Sequence, residues 1–164
     1  MLRIFTSVAG LDMPALMAVY EQSNSQKGQT EYPREPAGLQ LLFAEQDMRN
    51  YLRETFFRTE DAFCAIWEER GKYLAALRVE PYRDGVIVAG LETAPDHRSK
   101  GIATQLLTET VEQLRGRKIY SHVAKSNKPS LHVHEKCGFR IIDDRSAFLD
   151  GSVSTNSYTL LLEA

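Results

Sequence analysis

Between an apolar run and an amphipathic one, the chain reads Arg98-Ser99-Lys100-Gly101-Ile102-Ala103-Thr104. The preceding stretch, Val86-Ile87-Val88-Ala89-Gly90-Leu91, is apolar at nearly every position, the pattern of a strand buried on both faces. After Pro95 the residues turn polar. Ile102, Leu106, Leu107, Val111 and Leu114 then recur at helical spacing until Gly116 supplies a stop. Strand, turn and helix therefore meet at Gly101. A helix N-terminus leaves backbone N–H groups unpaired and carries partial positive charge, so amides from Ser99 to Thr104 can converge on a polyanion. Gly101 and Ala103 keep that backbone uncovered, and Arg98 and Lys100 add positive charge beside it. An ordinary strand-to-helix connection with a glycine in it reads the same over so short a stretch, and the remainder of the chain has to arbitrate.

Further pieces follow in order. Leu91-Glu92-Thr93-x-Pro95-Asp96-x-Arg98 leads into Arg98-x-x-Gly101-x-Ala103; a strand pattern runs from Lys118 to Val123; Asn127 has Ser130 three positions on; and Glu135-Lys136-Cys137-Gly138-Phe139 closes the series. On these residues the chain resembles the GCN5-related N-acetyltransferase (GNAT) superfamily, specifically over about Val86 to Phe139 and architecturally outside it. The resemblance implies an α/β (α+β) fold: a mixed, mostly antiparallel central sheet of about seven strands flanked by about four helices, in one domain over residues 1–164. It also implies that the fourth and fifth strands splay apart to admit the pantetheine arm of acetyl-CoA. By the same resemblance the backbone of Leu91 and Thr93 holds pantetheine, and Arg98, Ser99, Lys100, Gly101, Ile102, Ala103 and Thr104 hold the pyrophosphate. Asn127 and Ser130 contact the arm from the other side, although Asn127 suits a helix N-cap equally well. Neither Gly-x4-Gly-Lys-Ser/Thr nor Gly-x-Gly-x-x-Gly is present, which sets nucleoside triphosphates and nicotinamide cofactors aside.

The implied reaction passes an acetyl group from acetyl-CoA to a primary amine by direct attack on the thioester. An alkylammonium is only about one part in two thousand neutral at pH 7, so a proton acceptor is expected. Glu92, ending an apolar central strand, is the candidate base; a Glu turned to solvent or paired with Arg78 is the competing reading, and Glu80 is a second candidate. For the departing thiolate the family commonly places a tyrosine four positions before the Gly-Phe pair, where this chain has His134. His134 is the candidate proton donor, against a histidine that only packs or caps. His122 lies on the strand beside the expected cleft. His132, His134 and Cys137 do not share one helical face, and no metal is expected. O-acylation, a longer acyl chain, or a non-catalytic acyl-CoA sensor are the alternative outcomes of the same fold.

Composition agrees with a single core: 164 residues, 43% hydrophobic. A net charge of −2 gives no basic face for nucleic acid, and no stretch resembles a signal peptide or membrane span. Two cysteines, Cys64 and Cys137, suggest a reducing cytoplasm rather than a disulfide framework. The expected partners are therefore acetyl-CoA and an amine-bearing acceptor, with no nucleic acid and no membrane, in a monomer or homodimer. Elsewhere the pattern predicts a strand over Leu2–Thr6, helices over Met13–Ser23 and Pro36–Phe57, and strands on either side of Arg70-Gly71 and up to Asp84-Gly85. It closes with a helix over Lys128–Lys136 and two strands joined through Asp150-Gly151. Glu31, Glu45, Asp47 and Glu54 make the first helical segment partly acidic, a weak pointer to a cationic acceptor.

Overall fold

Alternation from Phe63 to Trp67 and from Tyr73 to Val79 gives each strand two apolar faces, and each face needs a cover. The computed structural model, which describes residues 1–163, supplies one layer of helices for each. In chain order the elements are β1 (Leu2–Phe5), α1 (Met13–Val19), α2 (Glu21–Glu31), α3 (Ala37–Glu54), β2 (Phe63–Glu69), β3 (Lys72–Tyr82) and β4 (Gly85–Thr93). They continue with α4 (Ile102–Gln113), β5 (Lys118–Ala124), α5 (Lys128–Lys136), β6 (Arg140–Asp143), β7 (Ser146–Ala147), β8 (Val153–Ser154) and β9 (Ser157–Glu163). On one face Leu77, Val79, Val88 and Ile119 pack under Leu106 and Leu107 of α4 and Leu131 of α5. On the other, Cys64, Ile66 and Ala76 meet Leu16 and Val19 of α1, Leu52 of α3 and Phe56. No helix among the described residues is long and apolar enough to cross a membrane.

The sheet runs β1-β2-β3-β4-β5-β9-β6, and β7 pairs with β8 in a separate ribbon. Every pairing is antiparallel except β4 with β5, which are parallel and matched only at Val86↔Ile119, Ile87↔Tyr120 and Val88↔Ser121. Beyond Val88 the two strands part, so the expected splay is present. A bulge on β4 sharpens it: Ala76 faces Glu92 and Arg78 faces Ala89, so two steps of β3 oppose three of β4. Gly90 sits in that bulge at φ +63°, with the Arg78 guanidinium where its Cβ would be and its carbonyl accepting from Tyr20 Oη at 2.6 Å.

Three expectations are corrected. The helix expected over Met13–Ser23 ends at Val19, and a second begins at Glu21, giving five helices rather than about four. That second helix is polar throughout and buries only Asn24 and Gly28; a Cβ at Gly28 would lie 2.3 Å from Gln40 O, so α2 docks on α3 by backbone approach. The helix expected over Pro36–Phe57 stops at Glu54, and a tight turn over Phe56–Arg58 follows, dropping Phe56 into the core. After α5 there are four short strands rather than two, because β9 inserts between β5 and β6 while β7 and β8 pair in the connection.

Candidate active site

The parting of β4 and β5 leaves a cavity of about 130 Å³ whose walls are Val88–Leu91 on one side and Ser121–Ala124 on the other, closed by Asn127, Ser130 and His134. A larger open depression, about 460 Å³, lies by Met1 and the β2–β3 turn, away from the splay. The cleft is where backbone groups are left without a strand partner. Ala94 N donates to Leu74 O at 2.8 Å, which makes Ala75↔Thr93 a non-hydrogen-bonded pair and turns the Thr93 N–H and C=O away from β3. Leu91, released by the bulge, lines the cavity directly. Leu91 and the Thr93 N–H therefore suit an extended amide chain added to the sheet edge, the Thr93 carbonyl already accepting from Arg98 Nε.

At the end of β4 the chain makes a short turn over Pro95–His97 and enters α4 through two left-handed residues, Ser99 at φ +63° and Gly101 at φ +78°. Gly101 caps α4 with no side-chain hydrogen bond to the first-turn amides, and a Cβ there would meet nothing within 4 Å. Lys100, Ala103 and Thr104 flank that uncapped end, so the N–H groups and the helix dipole face open space, the arrangement an anion requires. Ile102 instead points inward and is buried under the sheet. Arg98, expected beside the anion, turns its Nε to Thr93 O at 3.1 Å and its terminal nitrogen to Gln22 Oε1, bracing β4 against α2.

His134 is 1% exposed. Its Nδ1 lies 2.7 Å from Ser130 O, an acceptor only, so Nδ1 carries the hydrogen and donates. Nε2 lies 2.8 Å from Ser121 Oγ. Burial holds the imidazole below its ordinary pKa, with the Ser130 carbonyl opposing, so the neutral ring accepts from the Ser121 hydroxyl. The hydroxyl has one hydrogen, so with Nε2 as its acceptor it does not donate to Val88 O, which lies 3.2 Å away at the last paired residue before β4 departs and is the alternative acceptor. Asn127 caps α5, its side chain accepting from Ser130 N at 3.2 Å, and it also lines the cavity.

Glu92 is pushed up by burial and its Oε2 accepts from Ser23 N at 3.4 Å, which places its carboxylate against α2 rather than among the cavity walls. It forms no ion pair with Arg78 within 4.0 Å among the described residues. Arg78 instead stacks between Tyr20 and Tyr51, its guanidinium carbon 5.7 and 5.9 Å from their ring centres. Glu80, half-buried on the same face, is also pushed up by desolvation. His132 is exposed and His134 buried, and no cluster of three or more His, Cys, Asp or Glu residues among the described ones is arranged for a metal. Cys137 ends α5 against Thr104 and Thr108 of α4, and burial pushes the Cys64 thiol up to about 12.

Two residues that bond to the cleft were not singled out from the sequence. Ser121 sits opposite His134 because α5 crosses β5, a juxtaposition that no local pattern encodes. Tyr20 ends α1 and donates to the Gly90 carbonyl.

The family model described as Acetyltransferase (GNAT) family matches residues 18–139 of the chain, more than half of it. Streptothricin acetyltransferase of Streptomyces lavendulae is 26% identical over 91 residues, 54% of this chain and 48% of that protein. Spermidine N(1)-acetyltransferase of Vibrio cholerae is 40% identical over 50 residues, 28% of this chain and 29% of that protein. The chain thus spans about half, or less, of the curated relatives it matches. The PaiA N-acetyltransferase of Thermoplasma acidophilum, solved with coenzyme A, superposes with a TM-score of 0.65 at 13% identity, covering 100% of this chain and 99% of that one. The ribosomal-protein-S18-alanine N-acetyltransferase of Escherichia coli superposes at 0.63 and 19% identity, covering 99% and 93%. With that model match, and with the same fold in those structures, the chain belongs to the GNAT acetyltransferase family.

Proposed function

We propose that this protein is an acetyl-CoA-dependent N-acetyltransferase that acts on a primary amine by direct attack on the thioester. The observation that carries the reading is the juxtaposition of the β4–β5 cleft with the uncapped start of α4 at Gly101. Pantetheine would lie along Leu91 and Thr93, with Asn127 and Ser130 opposite, and the pyrophosphate would take the amides of Ser99 to Thr104 with Lys100 beside them, while Arg98 braces β4 against α2. Glu92, held against α2 by Ser23 N, lies outside the cavity walls and would act on an ammonium only as a negative charge on the α1–α3 face.

Once nitrogen has bonded to the carbonyl carbon it must lose a proton, and the thiolate released as C–S breaks must gain one. His134 serves both ends. Its neutral Nε2 holds no hydrogen to give at rest, so it first takes the nitrogen's proton through the Ser121 hydroxyl and then returns it the same way to sulfur. Atoms and charge balance across the cycle, and no covalent enzyme intermediate is required.

The test is calorimetric titration of acetyl-CoA into the wild type, Gly101→Glu and Gly101→Asn, followed by thiol release with spermidine, streptothricin and an alanine-ended peptide, amines suggested by the names of the relatives. Asn tolerates the left-handed backbone, so it separates strain from charge. Micromolar binding that Glu abolishes and Asn largely keeps, with thiol release from at least one amine, is the expected result. Binding without release from any amine would favour the sensor reading, and no binding to the folded wild type would remove the acetyl-CoA assignment.

A further inference from the structure

The cleft passes between the two faces of the sheet, and β5 presents a different side chain to each. Ser121 points to the α4–α5 layer, where it meets His134. His122, the next residue and the first on β5 beyond the paired stretch, points to the opposite face, where α1–α3 lie over the neighbouring strands. It lines the same cavity.

The hydrogen-bond network fixes the tautomer of His122. Tyr82 Oη is 2.5 Å from Ala147 O, and two oxygens that close share a hydrogen that only the phenol can provide. Tyr82 Oη therefore has only lone pairs left for His122 Nε2, 3.3 Å away, so Nε2 must carry the ring hydrogen. The Nδ1 lone pair has no protein partner among the described residues, and the atom is not sealed from solvent. Edge contacts with Tyr82 and Phe148, ring centres at 5.4 and 5.0 Å, hold the plane of the ring. The charged and titratable neighbours on this face are Arg83, stacked on Tyr82 and Tyr120, Glu80 two residues before Tyr82 on β3, and Asp84, which bonds Tyr120 and Lys118. β9 brings Thr159 alongside, its hydroxyl donating to Arg145 O.

Resting on the acetyltransferase reading, we infer that His122 is the general base for the acceptor amine, its Nδ1 removing the first proton from the ammonium before attack. That proton then passes to solvent. The second, lost from nitrogen as the C–N bond forms, travels through Ser121 and His134 to sulfur, so each histidine handles one proton on its own face of the cleft. Burial and Arg83 both keep the His122 ring neutral, in line with this role.

Nitrogen-15 NMR of histidine-labelled protein at pH 7 reads the tautomer without any acceptor. A neutral Nε2–H ring at His122 is expected, and an Nδ1–H tautomer or an imidazolium overturns the assignment. Kinetics complete the test, using acetyl-CoA with each of spermidine, streptothricin and the alanine-ended peptide. His122→Gln, which retains an N–H for Tyr82, is expected to lower kcat/KM at least about 100-fold at pH 7 and to remove the acid limb of its pH profile. A loss under threefold, or an acid limb that survives in His122→Gln and vanishes in Glu92→Gln, overturns it and returns the role to Glu92. Absence of thiol release by the wild type with every amine instead defeats the acetyltransferase reading itself.

Discussion

His134 concentrates the physical tension of the site, a titratable ring sealed among apolar neighbours with each nitrogen committed to a partner. His134→Phe leaves Ser130 O and the Ser121 hydroxyl without that partner and is expected to cost about 1–3 kcal/mol in urea unfolding. The pH dependence follows from the direction of the shift. Folding holds the ring below its ordinary value, so on acidification the unfolded chain takes up the proton first. Stability from this group is complete above about pH 6.5 and declines as the pH falls from there toward the folded-state pKa. His122 acts in the same sense, whereas the buried Glu80 and Glu92, pushed up, favour the acidic side and offset part of the loss at lower pH. The urea midpoint of the wild type is therefore expected to fall between about pH 7.5 and 6. A shallower decline in His134→Gln would identify the source, and an unchanged slope would exclude it.

Among the elements, β4 decides what the sheet can bind. Its first half pairs on both sides, its second half on one, and the bulge at Gly90 marks the change. Gly90→Ala would bring a Cβ to 2.7 Å from Arg78 Nη1 at a backbone angle that L-residues avoid. The expected cost is about 1–3 kcal/mol of stability. Acetyl-CoA affinity should fall as well, because the flattened bulge would re-aim Leu91; calorimetry on the folded variant separates the two. A second contact of this kind holds α2. Gly28→Ala forces a methyl against the Gln40 carbonyl and should destabilise by about 1–3 kcal/mol. Its affinity for acetyl-CoA should be intact, since that contact lies between α2 and α3 and not in the cleft.

Over the molecule as a whole, two apolar layers share one sheet, and the cleft interrupts the sheet between them. A ligand spanning β4 and β5 would close that interruption. Saturation with acetyl-CoA at 100 times its dissociation constant should add about 2.7 kcal/mol, a rise of roughly 5–10 °C in the thermal midpoint for a chain of this size. A scan with and without acetyl-CoA measures it, and Gly101→Glu should lose the shift. Leu106→Ala, which empties a fully buried position of α4 beneath the sheet, should cost about 2–5 kcal/mol whether or not the ligand is present.

Local pattern carried most of the order of strands and helices, the central strand ending at Thr93, and the strand-to-helix junction at Gly101, because each is written in nearby residues: alternation, helical spacing, a glycine between the two. Alternation and spacing report what a segment does with its own backbone and one face. They were silent on α2, whose burial is a backbone contact at Gly28, and on the insertion of β9 between β5 and β6, which pairs residues far apart in the chain. They named His134 and His122 without saying which proton either ring holds. That depended on Ser121, Ser130, Tyr82 and Ala147 arriving from separate elements, since a tautomer is set by hydrogen-bond partners and partners are set only when the chain has folded.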